Sequence, residues 1–335
     1  MAKYQGIELE DEEVKILEEF EKMVGEKIPQ IEEIGLTAFG FKAEEGKITG
    51  LGFAKKGLIE LPTSIGGLTS LKNLNLQMNK LEELPEQFSE LTKLEELDLW
   101  NNKLIKLPES IGKLSKLKDI DLKSNSLEEL PEGLFELKNL EKLDLWGNKI
   151  ETISAKIGGL TNLKYLILYN NLLKTIPEEM ADLENFVEVN LTGNNLESVP
   201  KRACTKICEI REWKWKNLKE EDLKVIQEIS ILIGVKIPKV KKVKDDTLGY
   251  KEKKGKIEAL GLVNSWLKIL PESIEDLTKL QHLNLSSNSF SALPKVIEKL
   301  SNLKTLDLTK NYMLEKLPEI TIQKFEDQGC KIIID

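Results

Sequence analysis

The sequence predicts an α/β repeat solenoid, with a parallel sheet on its concave side, built as two tandem modules that each begin with a helical cap. Three observations lead to this fold class. A phrase of 23 residues recurs ten times along the chain. Residues 9–112 also align without gaps onto residues 218 onward, at an offset of 209. Finally, each short unit has one apolar edge that only a stacked neighbour can bury, so the units must form a continuous curved array.

The repeated phrase specifies its own secondary structure. In one clear copy, Leu94, Leu97 and Leu99 mark a short strand with alternating inward side chains. Asn102 follows at a fixed offset, where its amide can satisfy backbone groups that no strand ladder reaches. Pro108 then opens the convex segment, because proline cannot donate a hydrogen bond to a further strand. The phrase therefore predicts a strand, a turn and a convex connection in every unit.

The array is predicted to be interrupted once. After Pro200 the convex phrase fails, and we interpret the alternating Trp213 and Trp215 as the closing rung of the first array. Ile332 and Ile334 form a comparable closing rung at the other end. The predicted strands lie at residues 48–53, 71–76, 94–99, 117–122, 140–145, 163–168 and 186–191 in the first array, and at 257–262, 280–285 and 303–308 in the second.

Each array follows a segment that lacks the repeat phrase. Between Asp11 and Val24 the apolar residues fall on one helical face, and Gly25 ends the helix. The same pattern returns at the offset of 209, so residues 221–233 should form a second helix that covers the apolar end of the second array. The predicted domains are a helical cap at 1–47, a first array with its closing strand at 48–217, a second helical cap at 218–256, and a second, shorter array with its closing strand at 257–335.

Composition limits the partner and the compartment. The net charge of -8 argues against binding to a nucleic-acid backbone, which requires a basic surface. The three cysteines do not form the disulfide framework of a secreted repeat protein, which favours a reducing compartment. Residues 1–13 are acidic and lack the apolar core of a signal peptide, and no apolar run approaches the length of a membrane span. We therefore predict a cytoplasmic protein without stable membrane insertion.

Residue combinations typical of enzymes are missing from the sequence. The one histidine, His282, leaves no Ser-His-Asp or Cys-His arrangement. Cys204 and Cys208 have no second pair to complete a zinc site, and no glycine loop is followed by the Lys-Ser or Lys-Thr of a phosphate site. Acids on a solvated sheet also lack the desolvation that tunes catalytic carboxylates. We therefore predict a non-catalytic protein without a metal or a cofactor.

The outward strand positions predict a recognition surface. Side chains alternate along a strand, so residues beside the inward leucines point to the concave face. Across the repeats this face carries an acidic stripe bordered by large aromatic side chains, which would complement a basic or mixed protein surface. We predict a protein-binding site formed by Glu96, Asp98, Trp100, Asp119, Asp121, Asp144, Trp146, Tyr165, Ile167 and Tyr169.

Simpler interpretations of these features stay open. The aspartates could serve only to keep the sheet soluble, and Trp100 and Trp146 could pack on neighbours such as Lys123 without any partner. Residues 236–256 contain nine lysines. This segment could touch anionic lipid or an acidic protein, or it could be a solvated lysine-rich loop.

The phrase with Leu107-Pro108 and Ile111 resembles the cytosolic class of leucine-rich repeats found in Ras-binding scaffolds and in plant intracellular Ras-group-related proteins. This resemblance covers residues 48–200 and 257–318. The cap phrase from Phe39 through Gly52 is similar to units of archaeal, Asgard-type leucine-rich repeat proteins. The resemblance implies a signalling scaffold whose protein partner is a small GTPase or its regulator. The alternative is a structural or self-associating protein. If the protein is a binding scaffold, we expect it to be a monomer.

Overall fold

The computed structural model describes all 335 residues, which form two compact units. The first unit comprises residues 1–172 and 177–190, and the second comprises residues 173–176 and 191–335. The elements of the first unit are β1 (Ala2–Tyr4), β2 (Ile7–Leu9), α1 (Asp11–Val24), β3 (Phe39–Glu44), β4 (Lys47–Phe53), β5 (Asn73–Asn75), β6 (Glu96–Asp98), β7 (Asp119–Asp121), β8 (Lys142–Asp144), β9 (Tyr165–Ile167) and β10 (Glu188–Asn190). Those of the second are α2 (Lys201–Ile210), α3 (Glu220–Ile233), β11 (Leu248–Lys253), β12 (Lys256–Leu262), β13 (His282–Asn284), β14 (Thr305–Asp307), α4 (Glu319–Asp327) and β15 (Lys331–Ile333).

Each unit is a repeat solenoid with a parallel sheet, as the sequence predicts. The sheet of the first unit has eight strands, β3 to β10 in chain order, and that of the second has five, β11 to β15. All neighbours pair in parallel except β3 with β4 and β11 with β12, which form antiparallel hairpins. The inward leucines of the repeats are buried and form the core of each unit.

The convex segments begin where the sequence places them. Every Leu-Pro or Ile-Pro of a regular repeat is followed by a five-residue 3₁₀ helix, for example Glu109–Lys113 after Pro108. In the fifth repeat Ser154 stands in the proline position with φ -63° and ψ 144°, which are values that proline also adopts. The Ser154 hydroxyl oxygen accepts a hydrogen bond from the backbone N–H of Lys156 at 3.3 Å, so serine caps this helix instead.

A ladder of buried asparagines joins successive repeats. The side-chain oxygen of Asn125 accepts a hydrogen bond from the backbone N–H of Leu104 at 3.0 Å. Its amide nitrogen donates to the carbonyl oxygens of Leu99 and Leu122, at 3.0 and 3.1 Å. One side chain thus satisfies three buried backbone groups in two neighbouring repeats, which explains why the phrase requires asparagine at this offset.

The first cap has the helix that the sequence predicts, from Asp11 to Val24. The helix ends at Gly25, whose φ of 76° is left-handed and whose N–H donates to the carbonyl of Glu21. Phe20 stacks on Phe53 of β4 with ring centroids 4.5 Å apart, so the helix seals the apolar end of the array. The β1–β2 hairpin that precedes the helix was not predicted, because its two short strands lie outside the repeated phrase.

The second cap repeats this architecture at the offset of 209. Helix α3 ends at Gly234, again with a left-handed φ of 73°. The core of the second array includes Ile226, Ile229 and Ile257. In both caps the chain before the hairpin forms a bridge to the outer edge of its first strand, Gln30 to Phe41 and Lys239 to Tyr250. These bridges cover the edge backbone groups that would otherwise pair with another chain.

The predicted closing rung at Trp213 and Trp215 is wrong. Residues 211–219 contain no strand, and α2 precedes them where the convex phrase fails. Trp215 instead packs against the core of the second array, and its indole N–H donates to the carbonyl of Ile237 at 2.9 Å. Alternation alone misled the assignment, because an extended segment that packs on a cap alternates in the same way as a strand. By contrast, the closing strand at the C-terminal end is confirmed, since β15 pairs in parallel with β14.

Candidate functional site

The register of the first sheet lines up the predicted site residues in columns. Glu96, Asp119, Lys142 and Tyr165 are direct partners on adjacent strands β6 to β9. The same pairing aligns a second column, two residues further along each strand, and a third column follows after the strands end. The second column is Asp98, Asp121, Asp144 and Ile167, and the third is Trp100, Lys123, Trp146 and Tyr169.

Two lysines partly neutralise the acidic columns. The ammonium of Lys123 lies 2.7 Å from a carboxylate oxygen of Asp121 and 3.8 Å from one of Asp144. Lys142 pairs with Asp119 at 3.2 Å. Asp98 has no ion pair, and its carboxylate accepts a hydrogen bond from the backbone N–H of Trp100 at 2.9 Å. The end of the stripe at Asp98 therefore carries the acid with the least compensation.

The acids on this face are not fully solvated, which corrects the expectation from the sequence. Burial raises the pKa of Asp98 to about 6, and the nearby charge of Asp121 contributes to the rise. Burial also raises the pKa values of Asp119 and Asp144. Neighbouring side chains cover these short carboxylates, so ionisation costs more than in water. Perturbed carboxylates of this kind are common at functional sites, although ion-pair networks produce them too.

Three aromatic rings border the acids and remain accessible. Trp146, Tyr165 and Tyr169 are 41%, 38% and 39% exposed. The rings of Trp146 and Tyr169 lie 6.0 Å apart at an interplanar angle of 40° and form one apolar platform. Trp100 differs, because it is only partly exposed and Lys123 lies 5.6 Å from the centre of its ring. For Trp100 the structure thus shows the packing on Lys123 that the simpler interpretation required.

A cavity of about 300 Å³ opens at the Asp98 end of the face. Its floor consists of strand residues, and one wall is the loop at residues 34–36 that follows α1. The amide nitrogen of Asn75 donates to the carbonyl of Gly35 at 2.8 Å and holds this loop over the sheet. No pattern in the sequence indicates this wall, because the loop belongs to no repeat. The strand residues that line the cavity are Asn73, Leu74, Asn75, Glu96, Leu97, Asp98, Asp119, Asp121 and Lys142.

The corresponding face of the second unit has a different chemistry. At the offset of 209, Thr305 replaces Glu96, Asp307 replaces Asp98 and Thr309 replaces Trp100. The Nδ1 atom of His282 lies 2.8 Å from the hydroxyl oxygen of Thr305. No tryptophan, tyrosine or phenylalanine stands in the strand columns of β13 and β14. The acids with aromatics are therefore confined to the first unit.

No helix of the chain has the length and apolar character needed to cross a membrane.

Comparison with protein-family models finds matches within the repeats. Residues 109–212 match a family model described as a leucine-rich repeat region, and residues 260–313 and 93–114 match two further leucine-rich repeat models. A search of curated proteins finds no match.

Two solved structures are similar to parts of the fold. A leucine-rich repeat protein of Leptospira interrogans is 27% identical, with a TM-score of 0.41, and the match covers 84% of this chain and 83% of that one. A TDR receptor is 24% identical with a TM-score of 0.46, and the match covers 80% of this chain but 42% of the receptor. The family models and the strand register together identify residues 93–212 and 260–313 as leucine-rich repeats.

Proposed function

We propose that the chain is a non-catalytic binding scaffold and that the concave face of the first unit binds a protein partner. We call this surface the aromatic–acid face. One observation carries the proposal: the exposed rings of Trp146 and Tyr169 form a platform beside carboxylates that are already partly desolvated. Large exposed rings are unfavourable in water and contribute strongly when a partner buries them. The aromatic–acid face consists of Glu96, Asp98, Trp100, Asp119, Asp121, Asp144, Trp146, Tyr165, Ile167 and Tyr169.

The charges of the face define the partner's chemistry. Asp98 lacks a cationic partner, while Asp119, Asp121 and Asp144 share only Lys123 and Lys142. A lysine or arginine side chain entering the 300 Å³ cavity would compensate Asp98. Its neighbours would then cover the platform of Trp146 and Tyr169. We therefore propose a partner segment that combines a basic side chain with apolar contact area.

Selection from a displayed library of random peptides tests this proposal. We expect the peptides selected on the wild-type chain to be enriched in lysine or arginine. Replacing both platform rings, Trp146→Ala with Tyr169→Ala, should weaken a selected peptide by roughly 30-fold or more for each ring. Trp266→Ala is the matched control, because Trp266 is 73% exposed in the second unit. It should leave the affinity unchanged.

The outcomes separate binding from folding. Both platform rings lie at the surface but are more than half buried, so the double variant should lose on the order of 1 to 3 kcal/mol of unfolding free energy, and affinities are compared under conditions where both proteins are folded. Enrichment of acidic peptides, or an equal loss of affinity in the Trp266→Ala control, would contradict the assignment of the site. Unchanged affinity in the double variant would also contradict the assignment of the site.

A small GTPase or its regulator is the partner class that the family resemblance suggests. Nothing in the geometry selects this class over other proteins with a basic segment, so it stays a narrower proposal. Titration of small GTPases in both nucleotide states against the wild type and the platform variant would test it. Binding in one nucleotide state that the variant loses would support it, and no binding in either state would refute it.

Self-association is the alternative function, and one observation favours it. Tyr312, Met313 and Ile320 are 86%, 72% and 81% exposed in the second unit. Tyr312 and Met313 are adjacent in the chain, and large apolar side chains exposed side by side are typical of a contact surface. Light scattering over a range of concentrations distinguishes the two functions. The scaffold proposal predicts the mass of a monomer throughout, whereas a mass that rises with concentration would favour self-association.

We also propose that the protein acts in the cytoplasm. Cys204, Cys208 and Cys330 are buried free thiols, as expected in a reducing compartment. Fractionation of source cells should recover the chain with cytoplasmic markers. Recovery with membranes or in the medium would contradict this location.

A further inference from the structure

A second cavity lies in the second unit, away from the aromatic–acid face. Its volume is about 360 Å³, within the range of small-ligand sites. It opens between the extended segment after α2 and the chain that follows α3. We call it the lysine cavity. The residues that define it are Lys214, Trp215, Lys216, Lys236, Lys239 and Tyr250.

The charge around the lysine cavity is mostly uncompensated. Lys239 pairs with Glu252. Lys214, Lys216 and Lys236 are exposed and form no ion pair with a carboxylate. The net charge of the whole chain is -8, so the lysines of the cavity and of residues 236–256 form a local basic region on an acidic protein. It would attract an anion without making the protein a general polyanion binder.

The first cap has an equivalent of this cavity region, but its positive charge is neutralised. There the Tyr4 hydroxyl oxygen accepts a hydrogen bond from the backbone N–H of Ile28 at 3.2 Å, whereas the Trp215 indole donates to the carbonyl of Ile237. Glu21 accepts a hydrogen bond from Tyr4 and pairs with Lys27 at 2.8 Å. The first cap therefore neutralises its own lysine.

The second cap has lost this acid. Ser230 takes the place of Glu21 and accepts a hydrogen bond from the backbone N–H of Ile237 at 3.2 Å. The lysine equivalent to Lys27 is Lys236, whose ammonium lies 5.6 Å from the ring centre of Trp215. Ser230 is fully buried, so packing of α3 accounts for the loss of the acid. Lys214 and Lys216 are exposed, and packing does not require their charge.

Tyr250 supplies a further polar group. It replaces Phe41 of the first cap at the offset of 209, and it lines the cavity while being only 2% exposed. The hydroxyl has no hydrogen-bond partner in the protein, and its oxygen is not fully buried, so it is accessible from the cavity. The hydroxyl is therefore free to donate a hydrogen bond to a ligand in the cavity.

We propose that the lysine cavity binds a small anion that carries two or more phosphate groups. Ammonium groups of Lys214, Lys216 and Lys236 would contact the phosphates, with the Tyr250 hydroxyl as an additional donor. Such an anion has two natural sources, a soluble polyphosphate compound and the head group of a phosphoinositide. This site is independent of the aromatic–acid face.

Calorimetric titration with inorganic tripolyphosphate and with inositol 1,4,5-trisphosphate tests the soluble source. Vesicles of phosphatidylcholine with phosphatidylinositol 4,5-bisphosphate test the lipid source. The double variant Lys214→Gln with Lys236→Gln should weaken binding by roughly tenfold or more in whichever assay gives a signal. Lys241→Gln with Lys242→Gln is the matched control. It removes the same charge from exposed positions of the same segment that do not line the cavity.

Tyr250→Phe restores the residue of the first cap and should weaken binding by a few-fold while the cap stays folded. Binding in either assay that depends on the cavity lysines and not on the control lysines supports the site. The proposal is overturned if no probe binds or if the control variant loses as much affinity as the cavity variant. Equal binding of a pentaglutamate peptide would also overturn it, because the site would then recognise charge rather than phosphate.

Discussion

The two sheets share a backbone register but present different surfaces. At the offset of 209, Leu97 corresponds to Leu306, and both are buried. The neighbouring outward residues diverge, since Glu96 and Trp100 become Thr305 and Thr309. Inward positions therefore preserve the fold, while outward positions have changed freely. This difference is the reason why we propose the recognition surface on the first unit.

The two cap helices extend the same comparison. On α1, Glu19 and Lys22 are exposed, whereas their counterparts on α3, Glu228 and Ile231, are each 3% exposed. Helix α3 packs against α2, which accounts for its second buried face. Glu228 accepts a hydrogen bond from the hydroxyl of Ser273, and burial raises its pKa. The first helix is thus built as an end cap with one buried face and the second as a connector with two.

The greatest loss of stability is expected from removing the acid that anchors each cap. Asp222 is fully buried, and its carboxylate accepts hydrogen bonds from the backbone N–H of Ile257 at 2.6 Å and from Lys256 at 2.8 Å. Glu13 occupies the equivalent position but accepts only from the backbone N–H of Ile48, at 3.0 Å. Asp222→Ala should destabilise its unit by about 3 kcal/mol, and Glu13→Ala by about 1 to 2 kcal/mol.

Native-state hydrogen exchange of the β4 and β12 amides measures the two costs separately. The Asp222 variant should lower protection mainly in β12, and the Glu13 variant mainly in β4. Equal costs for the two substitutions would show that the ion pair with Lys256 contributes nothing, which would contradict the proposed difference between the caps.

A smaller effect is expected from Asp98→Asn. The pKa of Asp98 is raised from 3.8 to about 6, so the folded protein holds this proton more tightly than the unfolded chain. Stability is therefore lost as the pH rises from about 4 to about 6, and the ionised carboxylate costs on the order of 1 to 3 kcal/mol above that range. The substitution should recover this free energy at pH 7.5 and leave stability at pH 4 nearly unchanged.

Urea unfolding at both pH values checks this prediction, and Asp307→Asn is its matched control. Asp307 stands at the same register position, where Thr309 donates to it through both its N–H at 3.0 Å and its hydroxyl at 2.8 Å. This substitution should not stabilise the protein. Stabilisation by both substitutions, or by neither, would contradict the contrast between the two sheets. In a binding assay, affinity for a basic peptide should rise as the pH increases through 6.

The least change in stability is expected at a position that all repeats share. Ser154 has the backbone angles of the prolines at equivalent positions, with φ -63° against -67° for Pro108. Ser154→Pro should therefore stabilise the protein by about 0.5 kcal/mol, because it restricts the unfolded chain and loses only the long capping hydrogen bond and a hydrogen bond to the exposed Glu132. Thermal unfolding measures the change. A clear loss of stability would mean that the fifth repeat requires its serine cap.

Periodic segments could be predicted from the sequence, and non-periodic ones could not. The strand register and the bounds of α1 follow from repeated leucines and from Gly25, each of which has a local physical cause. The β1–β2 hairpin, α2 and the true position of Trp215 depend on tertiary packing, which leaves no period in the sequence.

Prediction of the binding site from the sequence has the same limit. Strand alternation was sufficient to predict the columns of the aromatic–acid face. The wall formed by Gly35 and the burial that perturbs Asp98 arise from neighbours distant in sequence. The two-residue spacing of a strand carries no information about such neighbours, so these features required the structure.

A crystal structure of the chain with a peptide selected on it would locate the recognition surface without ambiguity. We expect a lysine or arginine of the peptide in the cavity beside Asp98, with its ammonium or guanidinium at ion-pair distance from the carboxylate. The rest of the peptide should lie across Trp146 and Tyr169. A peptide bound to the sheet of the second unit, or to the convex side, would refute the assignment of recognition to the aromatic–acid face.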